Sequence, residues 1–369
     1  MIQAENLISK LQKNKIDFFT GVPDSILKNF SANLENFKKE KHIIATNEGS
    51  AVSIGIGYHL STKKIPCIYF QNSGLSNAIN PLVSIANKKV YSIPLLLIIG
   101  WRGSPNKKDE PQHLAKGKIT KKLLSLLKVK YIVLRKSKDL LKISNVVNYA
   151  KKNKKIVAFL VEKDILVTNK KIKQINNSKY VLRFDFIKKF LEIIPYSSKI
   201  ISTTGYTSRE LHEIRKKFQL KKGVDFYMVG GMGHSSSVAL GCSLNSGNKI
   251  FCLDGDGSAL MHMGSLRTIG YLNKKNLKYI VLNNNAHESV GGQSTYAEGI
   301  NFKSLSNSLG FRNFYKVKNN KNYSYIIKNF VKSKGPSLLE VKIQKKSMEN
   351  LSRPKNLLKI KKIFMAGKK

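Results

Sequence analysis

Residues 249–292, KIFCLDGDGSALMHMGSLRTIGYLNKKNLKYIVLNNNAHESVGG, restrict the fold more than any other part of the chain. A short apolar run leads into Gly255-Asp256-Gly257, and a helix-like segment follows. A second apolar run then ends in three amides, Asn283, Asn284 and Asn285. Between Gly257 and Asn283 lie 25 residues, room for one helix and one strand. That length can return the chain to the same edge of a parallel sheet. An acid and an amide would then meet beside a helix N-terminus. Free N–H groups there favour phosphate, and oxygen ligands favour a hard cation. Asp and Gly also make plain turns, but Asn has low strand propensity, so the amide run is unusual for a sheet end.

Similar apolar runs recur along the chain. They fall at 18–22, 42–46, 65–71, 94–100, 131–135 and 156–161, then at 199–204, 226–229, 250–253, 279–283, 314–317 and 337–343. Continuous apolar character suits parallel strands covered on both faces. Helix-like spacers between them predict an α/β protein of two doubly wound parallel-sheet domains. A polar stretch without periodicity sets the boundaries. The expected domains are 1–170 and 181–345, joined by a linker at 171–180 and followed by a Lys-rich tail at 346–369.

The formal charge is +44, yet only eight of the 66 basic residues are Arg. Arg is the preferred reader of phosphate and base edges, and the Lys residues spread over every helix. A dedicated nucleic-acid role is therefore not expected, although the charge can steer small anions. Cys67, Cys242 and Cys252 lie in apolar stretches without metal spacing and are expected to be buried thiols. No apolar run reaches the length of a membrane helix. The N-terminal segment is charged throughout, unlike a signal peptide, so a cytoplasmic enzyme with no membrane partner is expected.

Four further segments bear on the site. Glu48 follows an apolar run and precedes GSAVSIGIGYHL, at an edge where α/β sheets bind ligands; it also fits a plain first helical turn. Gly230-Gly231-Met232-Gly233-His234-Ser235 is a glycine-rich loop before a helix. Ser202-Thr203-Thr204-Gly205-Tyr206-Thr207-Ser208 follows the first run of the second domain. Arg102 ends an apolar run beside the single Trp. It is expected to meet an anionic substrate or to form an ion pair.

Together these segments resemble the thiamine diphosphate enzymes, through GDG, 25 residues, then NN. TGVPDS, NEGSAVSIGIGYHL, YFQNSGLSNAINPL, WRG, DEPQH, STTGYTSREL, GGMGHSSSVALG and NNNAHESVGGQST add a narrower likeness. They run in order from about residue 15 to 345 and resemble the two-domain family that decarboxylates phosphonopyruvate or sulfopyruvate. Tyr206, where Lys is expected, and Asn285, where Gly is expected, depart from the family pattern.

The resemblance implies thiamine diphosphate and Mg²⁺ as cofactors. Asp256, Asn284 and the Ala286 carbonyl would hold the metal, with the register among Asn283, Asn284 and Asn285 left open. Glu48 would hydrogen-bond the aminopyrimidine ring and activate the cofactor, Met232 would wedge between its rings, and the Gly230 carbonyl would accept from its amine. Thr204, Gly205, Ser208, Gly255, Gly257, Ser258, Glu288 and Ser289 complete the implied cofactor contacts. His113, His287 and Glu288 are candidate proton carriers. Asp24, Gln71, Asn72, Arg102 and His113 are candidate substrate contacts. The implied reaction is decarboxylation of phosphonopyruvate in phosphonate biosynthesis. Sulfopyruvate, an inactive cofactor-binding protein and a basic nucleic-acid binder stand as alternatives. A homodimer or higher homo-oligomer is implied, with active sites between subunits.

Overall fold

The structure, a computed structural model, describes residues 1–105, 107–170, 179–319 and 321–367. It divides into two units, Met1–Lys173 and Gln174–Lys369. The linker expected at 171–180 falls, except for Lys179 and Tyr180, outside the described residues.

The first unit contains β1 (Ile2–Gln3), β2 (Phe19–Gly21), β3 (His42–Ile44), β4 (Cys67–Gln71), β5 (Leu96–Trp101), β6 (Lys130–Leu134), β7 (Val157–Glu162) and β8 (Leu166–Val167). Six of these form a parallel sheet in the order β3-β2-β4-β5-β7-β6. The central β5 and β7 are buried at every residue, which is why their sequences read as unbroken apolar runs. The second unit contains β9 (Lys199–Ser202), β10 (Val224–Tyr227), β11 (Ile250–Gly255), β12 (Leu277–Asn283), β13 (Asn313–Val317) and β14 (Ser337–Lys342). Its sheet runs β10-β9-β11-β12-β14-β13, again parallel.

The two sheets share one topology. In each, the first strand is flanked on one side by the second and on the other by the third. The connections leave that point in opposite directions, so a crevice opens beyond the carboxyl ends of the first and third strands. That places Asp24 and Gln71 at the crevice of one unit, and Thr203 and Asp256 at the crevice of the other. The expected α/β class with two doubly wound sheets is the observed one, and among the described residues no middle domain intervenes.

Three features differ from the expected elements. β1 and β8 pair through two residues each, Ile2 with Leu166 and Gln3 with Val167. The helix expected after the GDG turn begins at Asp256 and ends at Met261; a second helix, Gly264–Leu272, follows the break at His262. The tail holds a helix, Leu357–Ala366, that docks on β10. Its Phe364 is 7% exposed, with its ring 5.5 Å from that of Phe226. No described helix is long and apolar enough to cross a membrane.

Candidate active site

Asp256 opens its helix directly after β11 and is 2% exposed. The Thr295 hydroxyl donates to its carboxylate, and the backbone N–H groups of Gly257 and Asn284 point at it. Burial outweighs these bonds and raises the pKa to about 6. A bound cation would supply the missing stabilisation of the charged form.

The three amides have different surroundings. Asn283 is the last residue of β12, and its Nδ2 donates to Glu340 Oε1 of β14 at 3.0 Å. Asn284 is the first residue past the strand. Its Nδ2 donates to Glu288 Oε2 at 2.8 Å, while its Oδ1 accepts from the Ala286 N–H at 3.1 Å. Asn285 takes a left-handed φ of 55°, which Asn adopts more readily than most residues. The sheet thus uses Asn283, the turn uses Asn285, and Asn284 is the amide beside Asp256. One carboxylate, one amide oxygen and one backbone carbonyl, the groups that Asp256, Asn284 and Ala286 would supply, are ligand types that suit Mg²⁺. Among the described residues no group of three or more His, Cys, Asp or Glu could hold a metal.

Ser258 links the segments around this point. Its Oγ lies 3.0 Å from Thr203 Oγ1 beyond β9 and accepts from the Gly233 N–H at 3.0 Å. Ser208 instead turns inward, donating to the Thr203 carbonyl at 2.7 Å. Thr204 and Gly205 are partly exposed at this edge. A Cβ on Gly205 would lie 3.4 Å from Ser289 Oγ, so the β9 turn and the 284–295 loop meet. Tyr206 stacks near two guanidinium groups, 5.8 Å from Arg183 and 5.9 Å from Arg209.

Gly230 precedes the turn that presents Met232. Gly231 and Gly233 have φ of 64° and 86°, and Met232 sits between them, half-buried at the turn. A Cβ at Gly233 would lie 2.5 Å from the His262 ring, so this position needs glycine for space as well as conformation. His287 packs against Gly257, and its closely surrounded ring has a pKa pushed down by burial to about 4. It is a neutral imidazole at physiological pH.

In the first unit, Glu48 opens the helix Glu48–Thr62, capped by Asn47, whose side chain accepts from the Ser50 N–H at 2.9 Å. The Glu48 side chain is buried and accepts from Asn77 Nδ2 at 2.9 Å. It lies so close to Gly74 that a Cβ there would be 2.0 Å from Oε1. Beside it opens a groove of about 630 Å³ lined by Asn47, Ser50, Ser53, Asn77, Asn80 and Pro81.

A second polar group gathers at the crevice of the same unit. Asp24 is buried and accepts from Gln71 Nε2 at 2.6 Å. Burial raises its pKa despite Gln71 and the nearby Arg102. Arg102 grips Asp109 with Nε, at 2.8 Å, and with Nη2; its Nη1 donates to Ser25 Oγ at 3.1 Å. Burial works against the charge on Asp109, but Arg102 and the N–H groups of Glu110 and Gly103 hold its pKa well below the usual range. Asn72 donates to the Arg102 carbonyl and to Thr120, both at 2.9 Å, and so braces the end of β5. His113 lies in the first turn of the helix Pro111–Leu126, its carbonyl against Gly103.

Sequence reasoning missed Thr295, Asn77 and Asp109 as partners in the site, because a single hydroxyl, amide or carboxyl inside a motif does not show which side chain it bonds. Arg183 had one available signal, its rarity as an Arg. It is 4% exposed and pairs with both Glu210 and Glu288.

The N-terminal TPP binding domain of the thiamine pyrophosphate enzymes matches residues 1–123, and their C-terminal TPP binding domain matches residues 203–341. The chain belongs to the thiamine pyrophosphate enzyme family. Within it, this thiamine pyrophosphate enzyme falls among the decarboxylases. It is 30% identical to the phosphonopyruvate decarboxylase of Streptomyces viridochromogenes, over 96% of this chain and 92% of that protein. It is 28% identical to the sulfopyruvate decarboxylase of Methanosarcina acetivorans, over 85% and 84%. A shorter match, 39% identical, joins 36% of the chain to 68% of the sulfopyruvate decarboxylase subunit beta of Methanocaldococcus jannaschii. The residues present fit the cofactor's diphosphate end: a buried acid without a directly paired cation, a neighbouring amide, and hydroxyls and glycines at the crevice of a doubly wound sheet.

Proposed function

We propose that the chain decarboxylates phosphonopyruvate to phosphonoacetaldehyde and carbon dioxide, using thiamine diphosphate and Mg²⁺, in phosphonate biosynthesis in the cytoplasm. The observation that carries the reading is the length of the likeness: relatives matched almost end to end on both chains are phosphonopyruvate decarboxylases. Thiamine diphosphate, when bound, supplies an electron sink that lets carbon dioxide leave a 2-oxo acid.

The chain's own residues hold, orient and exchange protons. Asp256, Asn284 and the Ala286 carbonyl would hold Mg²⁺, and Ser258, Thr204 and Gly205 would hold the diphosphate. Gly255 and Gly257 let backbone approach it closely, and Ser289 closes that edge. Glu48 would face the aminopyrimidine and could hold a proton there, its carboxylate fixed by Asn77 and the absence of a side chain at Gly74. Met232 and the Gly230 carbonyl would help to hold the cofactor. Arg102, Gln71 and Asp24 meet the anionic substrate. The Nη1 arm of Arg102 donates to a neutral hydroxyl, so it is the arm open to a phosphonate. Asn72 holds the Arg102 backbone in place. His113 remains a candidate proton donor, whereas neutral His287 is better suited to accept. The active form is a homodimer or larger, each site drawing Glu48 from one subunit and Asp256 from another.

Sulfopyruvate is the second reading, favoured by the higher local identity to a sulfopyruvate decarboxylase subunit. Turnover of phosphonopyruvate, sulfopyruvate and pyruvate by the purified protein with Mg²⁺ and thiamine diphosphate separates the readings. The highest kcat/KM is expected for phosphonopyruvate; faster turnover of sulfopyruvate reverses the assignment. Loss of turnover on all three, with duplex binding that persists at physiological salt, points to nucleic acid instead. Glu48→Gln is expected to lower kcat by about 10²- to 10⁴-fold, the usual span for a positioned acid–base group. An undiminished rate in that variant, measured beside an unchanged melting curve, removes Glu48 from the chemistry.

A further inference from the structure

Glu288 has two partners, and both are N–H donors. Its Oε2 accepts from Asn284 Nδ2 at 2.8 Å and pairs with Arg183 Nη2. A carboxylate held in this way has little freedom to carry a proton to a substrate. It does have a clear mechanical effect. An amide presents a nitrogen end and an oxygen end, and only the oxygen can bind a cation. By engaging the nitrogen end, Glu288 fixes which way round the Asn284 amide stands.

Glu288 is itself anchored. Arg183 opens the helix Arg183–Ile193 and is buried, so its guanidinium cannot swing into solvent. Its Nη1 donates to Glu210 Oε1 at 3.2 Å. That same Glu210 oxygen accepts from the Met348 N–H at 3.1 Å, a residue beyond the last strand. Ser352 then donates to Glu213 on the same helix as Glu210. The support therefore runs from the segment after the sheet through Glu210, Arg183 and Glu288 to Asn284. Arg183 lies between the two carboxyl groups, so removing it leaves buried Glu210 without its cationic partner.

We propose that Glu288 is a positioning residue for the metal ligand Asn284, anchored by Arg183 and Glu210, with the segment after β14 completing the support. This rests on the reading of Asp256 and Asn284 as the metal site.

The test is Mn²⁺ binding to the full chain in the presence of thiamine diphosphate, read by the paramagnetic resonance of free Mn²⁺. Glu288→Ala and Arg183→Gln are expected to weaken Mn²⁺ binding by about 10- to 100-fold, as loss of groups that orient metal ligands does elsewhere. Glu288→Gln keeps an oxygen that can accept from Asn284, and is expected to recover most of that affinity. Wild-type Mn²⁺ affinity in Glu288→Ala, together with lost turnover, overturns the proposal and places Glu288 at the substrate. If Arg183→Gln fails to fold, the two Glu288 variants decide alone, because that residue is on a partly exposed turn. A wild-type protein that binds neither Mn²⁺ nor thiamine diphosphate would overturn the metal reading first, and this proposal with it.

Discussion

Two side chains away from the candidate site are held towards neutrality by the fold, and each makes stability depend on pH. His42 is buried with its Nε2 2.8 Å from the Tyr69 hydroxyl, and burial pushes its pKa down to about 4. An unfolded His titrates near 6.5, so as pH falls the unfolded chain takes the proton first. The stability tied to neutral His42 is full above about pH 6.5 and is lost as pH falls towards 4. Urea melts of His42→Asn should show a shallower loss of stability over that range. Lys278 is fully buried, donates to the Ser333 carbonyl at 2.6 Å, and has its pKa lowered to about 7 by burial and the nearby Lys249. The folded chain here releases the proton first, so stability rises as pH climbs from about 7 towards the unfolded value near 10.4. Lys278→Met should therefore stabilise more at pH 6 than at pH 9; Ser333 and Ser337 retain each other at 3.0 Å. Asp256, Asn284 and Glu48 were legible as candidates because their chemistry needs particular residue types at fixed spacing. Thr295 and Asn77 were not, since a single hydroxyl or amide has no spacing to betray its partner.

At the scale of elements, the eight inner strands could be read because each buries a nearly unbroken apolar run, whereas the edge strands β3, β6, β10 and β13 are partly exposed and read less cleanly. The β1–β8 ladder could not, since two residues carry no period. The tail helix carries only a weak apolar repeat, because its docking rests mainly on Phe364 and Ile360. Phe364→Ala should destabilise the second unit by about 3 kcal/mol, at the low end for a buried Phe. Leaving β10 uncovered should also promote self-association, measurable by denaturant melts and light scattering. The loop at Met232 makes a different prediction. Gly233→Ala places a side chain at positive φ and against His262, a conformational penalty above about 1 kcal/mol. Thiamine diphosphate should bind more weakly to that variant, whereas Met232→Leu should bind it nearly as well as the wild type.

For the molecule as a whole, the shared strand order puts both polar clusters at equivalent crevices, which is why unrelated-looking segments converge on one kind of place. The charge of +44 should also be felt as a whole. The kcat/KM for an anionic 2-oxo acid should fall as salt rises from low to physiological strength, while a neutral analogue is little affected. The distribution of that charge carries a further message. Arg102, Arg135, Arg183 and Arg215 each grip a carboxylate, and Arg102 and Arg215 do so with two nitrogens on two oxygens. They are half of the eight Arg in a chain tilted towards Lys, Asn and Ile. Such a compositional drift acts as a mutagenesis experiment already performed on the surface, where a point charge on a flexible stem serves as well as a planar fork. The arginines that survive it mark places where a flexible stem does not suffice, and Arg183, wedged between two carboxylates, is one of them.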